Sequence, residues 1–197
     1  MEVQLGPALA AAFYERPVLE VASDLVGCVV SHGETAGVIV EDEAYHQSEP
    51  ACHAYVGVTP RTETIFGPPG HAYVYRSYGI HAMLNAVCEP DGVGAAVLIR
   101  ALEPISGHEL MRARRGGLPD RQLCSGPGKL TIALGIELDL NRSSLVDGPV
   151  RIHGRPPEWR EVQIDTDRRI GITKAPELPW RFTARGNRWL SRPLARV

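Results

Sequence analysis

The chain has 197 residues, 44% hydrophobic and 22% charged, with a formal net charge of −2. That length predicts a single domain over 1–197, able to bury a core without metal or disulfide staples. No stretch approaches the ~20 apolar residues of a membrane span, and a start with Glu2 and no early basic residue fits neither a secretory nor a transit signal, so a cytoplasmic chain is expected, nucleoid-associated in a bacterium.

Residues 8–26 read as helix, interrupted at Pro17 and stopped at Gly27. Segments 28–31 and 36–45, rich in valine and isoleucine, read as strands around a turn at His32-Gly33-Glu34. Residues 46–70 are loop-like and end in the turn signal Gly67-Pro68-Pro69-Gly70. Strands at 71–78 and 80–88 follow, joined near Gly79, then a third at 95–101 after the turn Glu89-Pro90-Asp91-Gly92. Ser106 with Glu109 reads as a capping box opening a helix that ends at Gly116-Gly117. A second helix starts after Ser125-Gly126-Pro127 and closes at Gly135, and the remainder reads as short strands and loops. The order is not a regular βαβ series, so the predicted class is α+β: a curved mixed, mainly antiparallel sheet with flanking helices and a protruding β-hairpin.

Charge is unevenly spread. Residues 1–50 hold Glu15, Glu20, Asp24, Glu34, Glu41, Asp42 and Glu43 against one arginine, Arg16, whereas Arg181, Arg185, Arg188, Arg192 and Arg196 follow one another with no acid between them. Such a field suits a polyanionic partner; a solvated basic surface is the plainer account. Cys28, Cys52, Cys88 and Cys124 form no CxxC pair or zinc-finger spacing and read as free, buried thiols. The seven histidines show no metal-binding spacing, so neither metal nor cofactor is expected. Gly126-Pro127-Gly128-Lys129 lacks Walker spacing, though the helix it opens could hold one phosphate.

Two segments could carry chemistry. Strand alternation puts Glu41, Glu43 and Tyr45 on one face after a buried apolar run, where a carboxylate must be paired or used. Such a group could activate water, or it could be an ion pair at a strand end. In Tyr73-Val74-Tyr75-Arg76-Ser77-Tyr78-Gly79, Tyr73 and Tyr75 share a face and Tyr78 lies at the bend. Flat rings there can stack on bases or wedge between base pairs, or form an aromatic core cluster.

Together with His53, Thr59-Pro60-Arg61, Phe66-Gly67-Pro68-Pro69-Gly70, Asn85, Val97-Leu98-Ile99-Arg100-Ala101-Leu102-Glu103-Pro104, Leu123-Cys124-Ser125-Gly126-Pro127-Gly128-Lys129-Leu130 and Pro179-Trp180-Arg181-Phe182, these segments resemble the alkyladenine (3-methyladenine) DNA glycosylase family of the human-enzyme type. The resemblance runs from about Val18 to Ser191. It implies Glu43 as general base and Arg100 as the arginine that helps hold the attacking water, with the backbone carbonyl near Ile172 completing that water's site. It further implies Tyr45, His53 and Tyr75 as walls around a flipped base, Asn85 as the group that crowds the amino group of guanine, and Tyr78 as the wedge that fills the gap in the duplex. Thr59, Arg76 and Lys129 would touch the DNA backbone. The segment between Tyr45 and His53 is one residue shorter than in the human-type enzyme, and Arg76-Ser77 replaces a more usual apolar pair.

The activity so implied is base-excision repair by a monofunctional glycosylase. An alkylated or deaminated purine (3-methyladenine, 7-methylguanine, hypoxanthine, ethenoadenine) leaves the duplex stack and its N-glycosidic bond is hydrolysed. Arg100 is expected to keep Glu43 ionised. No lysine falls in the matched pocket, which argues against Schiff-base strand cleavage. The expected partner is double-stranded DNA carrying damaged purines, with no obligate protein partner, no membrane and a monomeric state. The competing readings are a non-catalytic nucleic-acid-binding domain of the same fold and a hydrolase of free nucleosides.

Overall fold

The computed structural model describes residues 5–77 and 79–194. Helix α1 (Ala11–Tyr14) and helix α2 (Val18–Leu25) divide at Pro17, which cannot donate to a continuing helix. The freed amide of Val18 donates instead to Glu89 Oε1 at 3.0 Å. Strands β1 (Val29–His32) and β2 (Thr35–His46) form the expected hairpin. Two short 3-10 turns, at His53–Val56 and Glu63–Phe66, lie in the segment read as loop. Strands β3 (Ala72–Ser77), β4 (His81–Val87) and β5 (Ala95–Ser106) follow. Helices α3 (His108–Arg114), α4 (Asp120–Leu123) and α5 (Pro127–Leu134) come next, then strands β6 (Val150–His153), β7 (Ile164–Asp167) and β8 (Arg181–Ala184).

The sheet runs β3-β4-β5-β2-β1-β6, with β8 joining β2 and carrying β7. Every pairing among the described residues is antiparallel. One face packs on the helices. Val74, Leu84, Ala86, Val40, Ala44, Val97, Ile99 and Ala101 join Leu25, Met111, Leu123, Leu130 and Leu134 in one buried core. The other face carries a smaller cluster of Cys52, Ala54, Ile65, Tyr73, Val87 and Ala96, against which Tyr45, Phe66 and Tyr75 pack.

Two expectations are corrected. Strand β5 does not stop at 101 but continues to Ser106, pairing Pro104 with Gly37. Proline is tolerated there because β4 pairs with β5 only at Ala96, Val97 and Leu98, so no neighbour on that side asks for the missing N–H. The capping box at Ser106 is not formed either. Ser106 is held in the strand, its hydroxyl donating to the Glu34 carbonyl at 3.2 Å, and Gly107 precedes α3 instead at φ +72°. A Cβ on Gly107 would lie 2.7 Å from that same carbonyl oxygen, so the turn admits only glycine.

The β3–β4 hairpin projects past β5, since the β4–β5 ladder covers only Asn85–Val87 of β4. Helix α5 braces it: Thr131 Oγ1 donates to the Ala82 carbonyl at 2.9 Å, and a Cβ on Gly128 would meet His81 at 2.8 Å.

Candidate active site

The register of β2 slips twice against β5 around Glu41 and Asp42. Such bulges re-aim side chains, and from here alternation is strict. Asp42 and Ala44 turn to the helix-covered core, Glu41, Glu43 and Tyr45 to the open face. On the neighbouring strands Leu98, Arg100, Asn85, Met83, Tyr73 and Tyr75 share that open face and line a pocket of about 370 Å³. Cys52, His53, Ile65, Pro127, Ile170, Gly171, Ile172 and Arg192 complete its walls. The structure therefore brings Tyr45, His53, Tyr75, Asn85, Arg100 and Ile172 to one cavity.

Glu43 lies one layer beneath its floor and is fully buried. Three donors converge on it: Arg100 Nη1 at 3.2 Å and the Tyr45 hydroxyl at 2.8 Å on Oε2, and the Ile170 amide at 2.6 Å on Oε1. All three donors come from residues that line the pocket, whereas Glu43 itself does not line it. Burial pushes its carboxyl above the ordinary value, against the opposing pull of Arg100, the Ile170 N–H and the Tyr45 hydroxyl; Glu41 adds to the rise. Arg100 pulls Glu43 toward the charged form, as expected, while desolvation outweighs that pull in the net direction.

Arg100 bridges two acids, its Nε donating to Glu41 Oε1 at 3.0 Å. Glu41 is saturated: it also takes Arg181 Nε at 3.0 Å, the Ser191 hydroxyl at 2.7 Å and the Ser191 amide at 2.6 Å. Asp42, between the two glutamates in sequence, faces the opposite side, fully buried, with neither oxygen hydrogen-bonded among the described residues. A third acid, Glu49, takes a fork of two bonds from Arg169 at 2.6 and 2.9 Å. The Arg169 guanidinium also donates to the Ala44 carbonyl at 3.0 Å and lies over the Tyr45 ring at 4.6 Å and the Trp180 ring at 5.2 Å.

The aromatic walls fall into two parts. His53 and Tyr75 meet edge to face at 4.7 Å, Tyr73 stacks on Tyr75 at 5.1 Å, and the Tyr73 hydroxyl lies 3.1 Å from His53 Nδ1. Among the described residues no ring contact joins Tyr45 to this cluster. Burial and the nearby Arg61 hold His53 below its ordinary value, which favours the neutral imidazole. Burial raises the Tyr75 phenol to about 12. Asn85 commits its amide nitrogen to the backbone carbonyls of Tyr73 at 3.0 Å and Met83 at 3.4 Å, which fixes the plane of the side chain.

Other expected residues lie apart from the cavity. Thr59 lines an adjoining depression of about 410 Å³ with Arg61, Thr62 and Lys174, sharing His53, Gly171 and Ile172 with the first. Lys129 is exposed on the first turn of α5, two residues after the pocket-lining Pro127. Arg76 lies on the helix side of the hairpin, lining a different depression with Ile80, Ala82, Arg114 and Thr131. Tyr78 lies outside the described residues. The basic end is not one solvated face. Arg181 is buried and paired with Glu41 and Asp167, and Arg185 pairs with Asp165, whereas Arg192 reaches the pocket. The four cysteines are free and buried, as expected.

Arg169, Glu49, Arg192 and the Ile170 amide are missing from the sequence-based site. Arg169 and Ile170 carried a signal only as near neighbours of Ile172 in sequence, and Arg192 as a member of the basic C-terminal run. The Arg169–Glu49 pair closes across 120 residues and leaves no local pattern.

Comparison with known proteins places the chain in a family. The chain is 53% identical over 189 residues to a protein of Methanoculleus marisnigri named "Putative 3-methyladenine DNA glycosylase", covering 93% of this chain and 98% of that one. A protein of the same name from Rhodopseudomonas palustris is 53% identical over 192 residues, 98% and 92% of the two chains. One from Nitrosospira multiformis is 47% identical over 175 residues, 89% of each. The profile of the methylpurine-DNA glycosylase (MPG) family matches residues 12–188, and with nearly the whole chain so covered, this protein belongs to that family.

Proposed function

We propose that the chain is a monofunctional DNA glycosylase of base-excision repair, which extrudes an alkylated or deaminated purine from duplex DNA and hydrolyses its N-glycosidic bond. The observation that carries the reading is the Glu43 carboxylate, bound by Arg100 at 3.2 Å, directly beneath a pocket walled by Tyr45, His53 and Tyr75. A flipped purine gains roughly 1–3 kcal/mol per good aromatic stack, which offsets the few kcal/mol of lost pairing and stacking. Cationic lesions such as 3-methyladenine gain more, since ring faces attract a cation and a neutral His53 does not repel one. Tyr78, to which the resemblance gives the role of wedge, fills the vacated stack. Asn85 crowds the amino group of guanine, and Thr59, Lys129 and Arg76 contact the backbone.

In the reaction the water oxygen bonds to C1′, the bond from C1′ to the purine nitrogen breaks with its electron pair leaving on the base, and the water proton passes to Glu43. A carboxyl raised toward neutrality by burial suits that task. The backbone carbonyl of Ile172 and Arg100 hold the water. Among the described residues Oε1 of Glu43 accepts a single hydrogen bond, from the Ile170 amide, which leaves a lone pair for the attacking water. No lysine is among the pocket's lining residues, which favours an abasic product without strand cleavage. The test is a duplex carrying hypoxanthine, ethenoadenine or 3-methyladenine, incubated with protein and heated in alkali. Wild-type protein produces breaks at the lesion; Glu43→Gln binds the lesion duplex but loses excision by orders of magnitude. Equal excision by both proteins refutes the mechanism, and a borohydride-trapped adduct refutes the monofunctional assignment.

A further inference from the structure

We infer that the buried Arg169–Glu49 pair is the latch that positions the general base, acting on Glu43 through the Ile170 amide and the Tyr45 ring. The inference rests on the glycosylase reading of the pocket. Arg169 belongs to no strand or helix, yet its side chain is fully buried and that of Glu49 nearly so. The guanidinium ties three separate pieces of chain: the loop after β2 through Glu49, the β2 backbone through the Ala44 carbonyl, and the segment before β8 through the Trp180 ring. The adjacent Ile170 amide bonds Glu43 Oε1 at 2.6 Å. The ring under the guanidinium is that of Tyr45, whose hydroxyl bonds Glu43 Oε2. Two of the three donors on Glu43 are therefore held by one arginine that does not itself touch the carboxylate, and the third, Arg100, is held separately by Glu41. A planar fork suits this role; a lysine ammonium cannot bond both Glu49 oxygens in the same geometry.

The sign of the effect follows from the donors. Glu43 faces Arg100 from β5, Glu41 and Tyr45 from its own strand, Tyr75 from β3, and Arg169 with the Ile170 amide from the loop. Releasing the loop removes an N–H that stabilises the charged form, so the carboxyl rises further and the acid limb of the excision rate moves to higher pH. The experiment compares wild type, Arg169→Met, Arg169→Lys, Glu49→Gln and Arg155→Met in single-turnover excision across pH, with thermal melts and lesion-duplex binding. Arg155 is the control, because it holds the carbonyls of Ser23, Asp24 and Val26 away from the pocket. Arg169→Met should lower excision at neutral pH roughly tenfold or more, and move the acid limb up by about one to two pH units. Glu49→Gln and Arg169→Lys should fall between it and wild type, and Arg155→Met should lower the melting temperature without moving the limb. An Arg169→Met limb at the wild-type position, or an equal shift in Arg155→Met, overturns the latch. A carbon-13 titration of the Glu43 carboxyl in the same proteins reads the shift without catalysis. A wild type that excises nothing would sink the glycosylase reading, while the latch would still stand or fall on that titration.

Discussion

Asp42 is a carboxylic acid with no exposed surface, set between strands β5 and β8 on the core side of β2, and among the described residues neither of its oxygens has a hydrogen-bond partner. Burial, with Glu41 and Glu43 adding to it, raises its carboxyl well above 3.8. The folded chain therefore holds a proton that the unfolded chain releases. A raised acid contributes its full stability below the unfolded value and loses it as pH climbs toward the folded one. While Asp42 stays protonated in the fold, that loss runs at about 1.4 kcal/mol per pH unit, or about 3 kcal/mol between pH 5 and pH 7. Asp42→Asn keeps the shape and removes the proton. Its amide is still unpaired, which adds a pH-independent offset of about 1–3 kcal/mol. Urea unfolding of both proteins at several pH values separates the two effects, because every other titrating group is shared. The stability difference should tilt toward the variant as pH rises, at about 1.4 kcal/mol per unit. A difference that stays flat from pH 5 to 7 refutes the reasoning, since it means Asp42 titrates alike in the folded and unfolded chains.

Tyr45→Phe removes the hydroxyl that donates to Glu43 at 2.8 Å but keeps the ring. Lesion binding should hold while the acid limb of single-turnover excision rises by about one to two pH units; an unmoved limb would show that this bond does not tune the base. Arg100→Met leaves Glu43 without its closest cation, and breaking a buried pair from one side costs about 3–5 kcal/mol. The melting temperature should fall by roughly 10 °C along with loss of excision; an unchanged melt would show that Glu43 gives up its charge when Arg100 is removed.

The parts of this molecule written in local pattern could be read before folding. Alternation put Glu41, Glu43 and Tyr45 on one face and Tyr73 with Tyr75 on another strand, and both faces meet at the pocket. Pro17, Gly27 and Gly135 ended helices where their backbone chemistry requires. Ser106 looked like a helix cap because its spacing to Glu109 is right, yet the ladder to β2 extended the strand over it. The basic C-terminal stretch looked like a surface for a polyanion, yet Arg181 is consumed by Glu41, from the acidic start of the chain, and by Asp167. Composition showed both charge blocks but not that an ion pair joins them. Glu43 shows the same limit of local reading: the sequence offered an arginine partner, whereas depth of burial, a property of the whole fold, governs the direction of its titration.

Glu41 takes bonds from Arg181 and from Ser191, 140 and 150 residues further along the chain. A ribosome making this protein therefore releases β2 long before the groups that complete its acid cluster exist. Contacts of such sequence separation form late in folding. An incomplete nascent chain holds Glu43 and the aromatic residues without the frame that aligns them. Competence to excise a base then follows only once Arg181 and Ser191 have been made and docked on Glu41.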